Sequence, residues 1–275
     1  MGKHELSSAS SGERRTALIT GASAGIGEAF ARRLAALGYD LIISARRVER
    51  LEGLAAELRR DYGIAVSCTP ADLSQLEEIQ KLEAVIKETG NLELLINNAG
   101  FGISGHYVEQ SIDRHQRMID VHITATVRLT HAALRGMIAR HRGFVINVSS
   151  IAAWVQVGAG PGYCASKVYL NSFSTNLDGA VRDQGVRIQA LCPGYTYTEF
   201  HNSADYQGTE RETLPKWVWM TAEEVVDESL RRLGSEKAIV IPGLKNRIAV
   251  FFLNSFISRL IMRIRPLIQG QQKNS

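Results

Sequence analysis

Short continuous apolar runs alternate along the chain with longer segments in which apolar residues recur every three or four positions. The run at residues 17–19 precedes a segment, 26–37, in which Ile26, Phe30 and Leu34 share one helical face. Continuous apolar runs are typical of strands buried on both faces. The pattern predicts further strands at 40–45, 65–69, 92–96, 143–150, 187–192 and 238–241, and helices at 48–62, from 74 onward, at 112–140 and around 163–167.

Regular alternation of strands and helices predicts an α/β fold. We expect one doubly wound parallel sheet of about seven strands, with right-handed crossovers and helices on both faces. A chain of 275 residues with 45% hydrophobic content suits a single domain. We therefore predict a disordered polar tail at 1–15, one folded domain at 16–243 and a basic amphipathic extension at 244–275.

The cysteine spacing and the charge distribution indicate the cellular compartment and the partners to expect. Cys68, Cys164 and Cys192 are widely spaced, which favours reduced thiols in a cytoplasmic protein over disulfides or a metal site. The polar N-terminal segment lacks the apolar run of an export signal. Residues 237–275 hold seven Lys/Arg and no Asp or Glu, so this segment carries the whole basic excess of a chain whose net charge is +4. No nucleic-acid motif accompanies the charge, so nucleic acid is not an expected partner.

Three glycines follow the first strand in the order Gly21, Gly25 and Gly27. Glycines between a strand and a helix let the backbone approach a pyrophosphate at the positive end of the helix. The spacing differs from the general G-x-G-x-x-G fingerprint. The sequence indicates a phosphate-binding turn here, and an ordinary strand–helix connection is the alternative.

Arg46 and Arg47 follow the second predicted strand. In a doubly wound sheet this strand end lies beside the adenosine ribose, where an acidic residue binds a 2′-hydroxyl and an arginine accommodates a 2′-phosphate. No acid is present at this position, so the pair favours NADP over NAD. The alternative is a solvated charge pair at the start of the next helix.

Tyr163 and Lys167 are four residues apart in a predicted helix, so their side chains share one face. A nearby ammonium group lowers a phenol pKa from its usual value of about 10 and makes the phenol an acid/base near neutral pH. Ser150 ends a neighbouring strand, where its hydroxyl can hold a carbonyl or alkoxide oxygen. Together the three side chains suit hydride chemistry at a carbonyl.

Five motifs together resemble the classical short-chain dehydrogenase/reductase family in order and spacing. They are residues 20–27, 97–100, Ser150, Tyr163-x-x-x-Lys167 and Pro193-Gly194. The resemblance covers about residues 15–242 and implies a Rossmann-type fold with an NADP(H) cofactor. It also implies that Ser150 orients the substrate oxygen, that Tyr163 is the general acid/base, and that Lys167 lowers the pKa of Tyr163 and holds the nicotinamide ribose.

The resemblance further implies a set of cofactor contacts. The expected contacts are Gly21, Ser23, Gly25, Ile26, Gly27, Arg46, Asp72, Leu73, Asn98, Ala99, Gly100, Tyr163, Lys167, Pro193, Gly194 and Thr198.

One position departs from the family pattern. Where many relatives have an Asn that anchors a water in a proton relay, this chain has His122. We expect His122 to replace that Asn as a catalytic relay member and to make activity sensitive to pH near 6.5. The alternative is a helix-packing histidine.

Two further segments bear on the substrate and partners. Residues 195–224 are rich in aromatic side chains and are interpreted as a lid over an apolar substrate, with core or subunit packing of Trp217 and Trp219 as the alternative. Residues 245–266 predict a basic amphipathic helix that contacts an anionic membrane or an acyl carrier such as coenzyme A. Its apolar face could instead pack on the lid or in a homo-oligomer.

The sequence therefore predicts an NADP(H)-dependent oxidoreductase that interconverts a carbonyl and a secondary alcohol on a fairly apolar small molecule, with reduction favoured. The tail and the segment at 94–102 resemble the branch of 3-oxoacyl-CoA reductases and 17β-hydroxysteroid dehydrogenases. A non-catalytic NADP-binding sensor or scaffold is the alternative function.

Overall fold

A single sheet of seven parallel strands organises the computed structural model, which describes residues 14–155, 160–202 and 213–254. The strand order is β3-β2-β1-β4-β5-β6-β7, so the chain reverses its direction of winding between β1 and β4. This order confirms the predicted doubly wound α/β fold. The strands are β1 (Thr16–Thr20), β2 (Asp40–Ser44), β3 (Val66–Cys68), β4 (Leu92–Asn97), β5 (Gly143–Val148), β6 (Val186–Leu191) and β7 (Ile239–Val240).

Helices cover both faces of the sheet. The described helices are α1 (Gly25–Ala36), α2 (Val48–Tyr62), α3 (Leu76–Glu88), α4 (Ile112–Ile119), α5 (Ala125–Ala139), α6 (Pro161–Val181), α7 (Ala222–Arg231) and α8 (Leu244–Leu253). A π-helical turn, Asp120–Thr124, joins α4 to α5. The helix predicted over 112–140 is therefore continuous but contains a wider turn.

Alternate residues of the central strand point into two separate cores. Ala17 and Ile19 of β1 pack with Phe30 and Leu34 of α1, while Leu18 packs on the other face with Leu129 of α5. Because successive strand side chains point to opposite faces, a strand that is covered by helices on both sides is apolar at every position. This is why the continuous apolar runs locate the central strands.

The spacing of Ser74 and Glu77 predicts a capping box with Ser74 as the N-cap of the next helix, and this prediction is wrong. Helix α3 begins at Leu76. The Ser74 amide and hydroxyl both donate to Asp72 Oδ1, at 3.0 and 2.8 Å, so Asp72 forms a local turn that replaces the predicted cap. A complete capping box is instead present at Thr221 and Glu224, where it starts α7.

Two predictions for the ends of the chain lie largely outside the described residues. These are the disordered tail at 1–15, of which the structure describes residues 14 and 15, and the amphipathic helix at 245–266, of which it describes residues up to 254. Helix α8 begins at Leu244, the first residue of the predicted extension. Among the described helices, none combines the length and the apolar character needed to cross a membrane.

The junction of β1 and α1 has no space for a side chain at its third glycine. A Cβ atom on Gly27 would overlap the carbonyl oxygen of Gly21 and would lie 2.5 Å from the side-chain Nδ2 of Asn98. Gly21 itself has a φ of +67°, in the left-handed region that favours glycine. Close backbone packing therefore fixes the turn that precedes α1.

We expect Gly27→Ala to lower the free energy of unfolding by about 1–3 kcal/mol, because the added methyl group overpacks this junction. Equilibrium denaturation in urea measures the change. Gly53→Ala is the matched control: it lies within α2 with nothing inside 4 Å of an added Cβ, so it should stabilise by up to about 1 kcal/mol. Equal effects of the two substitutions would contradict the packing argument.

Candidate active site

A cleft of about 880 Å³ lies at the carboxyl ends of the strands. This volume is within the usual range for a small-molecule or cofactor site. Of the expected site residues, Gly27 and His122 do not line the cleft. Those that do line it are Gly21, Ser23, Gly25, Ile26, Arg46, Asp72, Leu73, Asn98, Ala99, Gly100, Ser150, Tyr163, Lys167, Pro193, Gly194 and Thr198.

The floor of the cleft is held by the hydroxyl group of Thr20 at the end of β1. Its oxygen accepts hydrogen bonds from the backbone amides of Asn98 and Ala99, at 3.0 and 3.1 Å. In return, the Asn98 side chain donates to the carbonyl oxygens of Thr20 and Gly21, at 2.9 and 3.2 Å. Asn98 therefore positions the glycine turn, and its amide group is already engaged by protein.

The end of the cleft beside β2 is cationic. Arg46 is exposed, lines the cleft and has no hydrogen bond or ion pair with the residues that the structure describes. Arg47 also lines the cleft, but its guanidinium donates to Ser23 Oγ at 3.0 Å and to Glu199 at 2.8 Å. The two arginines that the sequence treats as equivalent therefore differ in their partners within the described residues.

The opposite end of the cleft brings Ser150, Tyr163 and Lys167 together. Ser150 caps the short 3₁₀ turn after β5, and its hydroxyl oxygen accepts from the Ala152 amide at 3.1 Å. Lys167 is buried, and its ammonium group lies 5.3 Å from the centre of the Tyr163 ring. The adjacent Ser149 donates to the carbonyl oxygen of Lys167 at 3.0 Å, so Ser149 supports the helix backbone.

The acid–base properties of Tyr163 differ from the sequence-based expectation. Burial raises its pKa to about 12, and a hydrogen bond with Ser150 opposes this rise. Burial also lowers the pKa of Lys167 to about 8. The Lys167 ammonium donates to the Val148 carbonyl oxygen at 2.9 Å. Because the rise from burial is larger than the opposing effect of Ser150, the expected lowering of the Tyr163 pKa is not found.

His122 lies behind the cleft with both ring nitrogens in hydrogen bonds to protein groups. Nε2 accepts from the Phe101 amide at 3.1 Å, and Nδ1 lies 2.8 Å from Ser166 Oγ. The Ser166 hydroxyl donates to the Tyr163 carbonyl oxygen at 2.7 Å, so its oxygen accepts the Nδ1 proton. These partners assign a neutral ring with the proton on Nδ1.

Desolvation, followed by the positive charge of Lys167, holds the pKa of His122 well below its usual value of 6.5. The expectation that this ring titrates near pH 6.5 is therefore wrong, because a buried neutral ring does not gain a proton in that range. The contacts instead place His122 between the loop after β4 and the backbone of Tyr163.

Residues 198–200 close the middle of the cleft, and two of them were not among the expected site residues. The Phe200 ring lies 5.8 Å from the Tyr163 ring, and Thr198 lies against Gly25. Glu199 pairs with Arg47. Residues 203–212 of the predicted lid are outside the described residues. Because Thr198 was an expected cofactor contact, the neighbouring Glu199 and Phe200 could have been expected near the cleft. No sequence spacing, however, predicts the pairing of Glu199 with Arg47.

The aromatic residues that follow divide between core and surface. Trp219 is buried, and its ring packs on those of Tyr195 and Tyr197, with centroids 5.4 and 4.9 Å apart. Trp217 is 70% exposed. Trp219 therefore follows the core-packing alternative, whereas Trp217 does not pack in the core of the described residues, and its lid or subunit role stays a prediction.

We expect His122→Asn to change the pH dependence of the free energy of unfolding. A ring that is neutral when folded but titrates near 6.5 when unfolded makes the unfolded state bind more protons, so wild-type stability falls as pH drops below 6.5. The variant lacks this contribution. The difference in unfolding free energy between wild type and variant should therefore decrease by about 1 kcal/mol from pH 7.5 to 5.5.

Urea denaturation at both pH values measures this difference. His131→Asn is a control for a histidine on the exposed side of α5. A constant difference across the pH range would show that the ring titrates with the same pKa in the folded and unfolded states, which would contradict the lowered pKa.

Comparisons with known proteins agree with the geometry. The family model described as short chain dehydrogenase matches residues 15–207. Serine 3-dehydrogenase of Agrobacterium fabrum is 37% identical over 187 residues, which are 67% of this chain and 73% of that protein.

Two solved structures share the fold over almost the whole chain. A short-chain dehydrogenase from Sphingobium yanoikuyae in complex with NADPH has a TM-score of 0.78 at 30% identity, covering 95% of this chain and 96% of that one. A bulky-bulky ketone specific alcohol dehydrogenase from Comamonas testosteroni has a TM-score of 0.74 at 27% identity, covering 95% and 94%. The chain belongs to the short-chain dehydrogenase family, as its motifs predict.

Proposed function

We propose that this short-chain dehydrogenase interconverts a carbonyl and a secondary alcohol with NADP(H), in the reducing direction, on a fairly apolar substrate. The observation that carries the proposal is one cleft with two specialised ends. Ser150, Tyr163 and Lys167 lie at one end, and Arg46 lies at the other.

The residues present fit a dinucleotide phosphate. The glycine turn leaves a space that a side chain would fill. A Cβ atom on Gly21, for example, would lie 2.9 Å from the backbone of Ala99. The backbone of residues 21–27 would hold the pyrophosphate, Asp72 and Leu73 the adenine, and Lys167 the nicotinamide ribose. Arg46 would hold the 2′-phosphate, since a guanidinium matches phosphate oxygens. The NADPH in the Sphingobium structure supports this choice of cofactor.

When bound, the nicotinamide supplies or accepts the hydride. The chain supplies the proton and holds the oxygen. Ser150 donates a hydrogen bond to the substrate oxygen, and Tyr163 donates the proton that converts the developing alkoxide to an alcohol. A Tyr163 pKa of about 12 keeps the phenol protonated at neutral pH, as a proton donor must be. The protonated phenol therefore suits the role of proton donor in reduction.

The cleft wall supports an apolar substrate. Phe101, Ile103, Val155 and Phe200 line the cleft together with the catalytic end. Apolar and aromatic walls bind ligands by burying apolar area, while a few polar groups fix orientation. A bulky ketone, a 3-oxoacyl thioester or a steroid-like ketone has this character. The ketone specificity of the Comamonas enzyme supports the same class.

Replacement of Tyr163 by Phe removes the proton donor and leaves the ring. We expect kcat for ketone reduction to fall by about 100- to 10,000-fold, because general acid catalysis contributes roughly that factor. NADPH consumption with a panel of 3-oxoacyl thioesters, ring ketones, steroids and aldehydes measures it, with NADH alongside. Tyr169→Phe, on the exposed side of α6, is the matched control.

A variant that retains full turnover would contradict the role of Tyr163. Tight NADPH binding with no turnover of any panel member would favour the non-catalytic sensor or scaffold.

We also propose that the exposed side of α8 contacts an anionic membrane surface. Leu244, Ile248 and Phe251 are 64%, 47% and 73% exposed and share one helical face. Trp217 lies beside the start of this face, because Lys245 donates to its carbonyl oxygen at 2.7 Å. The basic residues of 237–275, without any acid, match anionic headgroups. An acyl carrier or a second copy of the chain is the competing occupant.

The paired substitution Ile248→Ser and Phe251→Ser should abolish sedimentation with vesicles that contain phosphatidylserine. Wild type should bind those vesicles and not phosphatidylcholine alone, since both apolar area and charge contribute. Val108→Ser, which removes an even more exposed apolar residue elsewhere, should leave binding unchanged.

Absence of wild-type binding would reject the membrane proposal. If ultracentrifugation then showed a dimer that the paired substitution dissociates, this face would be a subunit contact.

A further inference from the structure

Glu199 forms a two-armed ion pair at the adenosine end of the cleft. One carboxylate oxygen lies 2.8 Å from an Arg47 nitrogen, and the other lies 2.5 Å from an Arg50 nitrogen. The three side chains are 43–53% exposed. Exposed ion pairs contribute little free energy, so another anion that binds arginine more strongly can displace this carboxylate from Arg47 and Arg50.

The carboxylate belongs to the segment that covers the glycine turn. Glu199 directly follows Thr198. The Thr198 side chain lies against the glycine turn, since a Cβ atom on Gly25 would be 2.9 Å from it. Arg47 donates to Ser23 within the same turn, at 3.0 Å to the hydroxyl oxygen. The ion pair therefore joins residues 198–200 to the part of the cleft assigned to the cofactor phosphates.

A 2′-phosphate at this end would need the same guanidinium groups. Arg46, which would contact that phosphate, is the chain neighbour of Arg47, and both line the cleft. A phosphate monoester carries about −1.5 to −2 charge and forms stronger bidentate contacts with arginine than one carboxylate does. Two anions thus compete for one cluster of arginines.

We propose that Glu199 is a specificity-determining residue that competes with the 2′-phosphate of the cofactor for Arg47. It weakens binding of the phosphorylated cofactor and leaves the unphosphorylated one nearly unaffected, because only the former needs the arginine. The proposal rests on the NADP(H) assignment made above. It also makes the position of residues 198–200 depend on which cofactor is bound.

The test measures binding of two fragments that carry no nicotinamide. Titration calorimetry compares adenosine 2′,5′-bisphosphate, which has the 2′-phosphate, with adenosine 5′-monophosphate, which lacks it. Glu199→Gln should lower the Kd of the bisphosphate about three- to ten-fold, as expected from loss of two exposed ion pairs, and change that of the monophosphate less than two-fold. Glu223→Gln, an exposed carboxylate beside the same turn, is the matched control.

The outcomes separate this proposal from the cofactor assignment. If the bisphosphate binds wild type more tightly than the monophosphate but Glu199→Gln leaves or raises its Kd, Glu199 only positions Arg47 and the competition is rejected. If both fragments bind equally to wild type and also to Glu199→Gln, the NADP(H) assignment fails, and the competition fails with it. Equal tightening by Glu223→Gln would also reject the proposal, since general charge would explain it.

Discussion

The close approach of backbones where β1, α1 and β4 meet is the constraint on which the site depends. Gly27 touches the carbonyl of Gly21 and the amide group of Asn98, with no space for a methyl group between them. Thr20 joins the same strands through its hydroxyl group. Because α1 starts directly from this junction, its positive end is fixed relative to the sheet. A dinucleotide cradle results from packing that also closes one of the two cores.

A second connection runs behind the cleft through His122. Its ring joins the Phe101 amide, which follows β4, to Ser166 on α6 and through it to the backbone of Tyr163. The π-helical turn between α4 and α5 contains His122. One extra residue in a helical turn shifts the side-chain direction, which is how such turns place residues at functional sites. The loop that follows β4 and the helix that carries Tyr163 are thus held by one neutral ring.

The sequence predicted the fold well because its signals are short-range and repeated. Continuous apolar runs located the strands, and the motif order identified the family. It failed where the outcome depends on three-dimensional surroundings. No pattern shows that Asp72 removes Ser74 from its capping role, that both nitrogens of His122 are occupied, or that Arg47 turns to Glu199, which is distant in sequence. The pKa error at Tyr163 has the same origin, since spacing gives the neighbour but not the desolvation.

The raised pKa of Tyr163 is consistent with the proton-donating role proposed for it. An alkoxide is a stronger base than a phenolate, so a phenol with a pKa of about 12 still transfers its proton to an alkoxide that forms during reduction. Oxidation needs the opposite, a phenolate that accepts a proton from the alcohol, and a raised pKa makes that form scarce at neutral pH. Ser150 opposes the rise by hydrogen bonding, but burial is the larger effect. The same desolvation that excludes water from the developing alkoxide therefore also keeps the Tyr163 phenol in its protonated form.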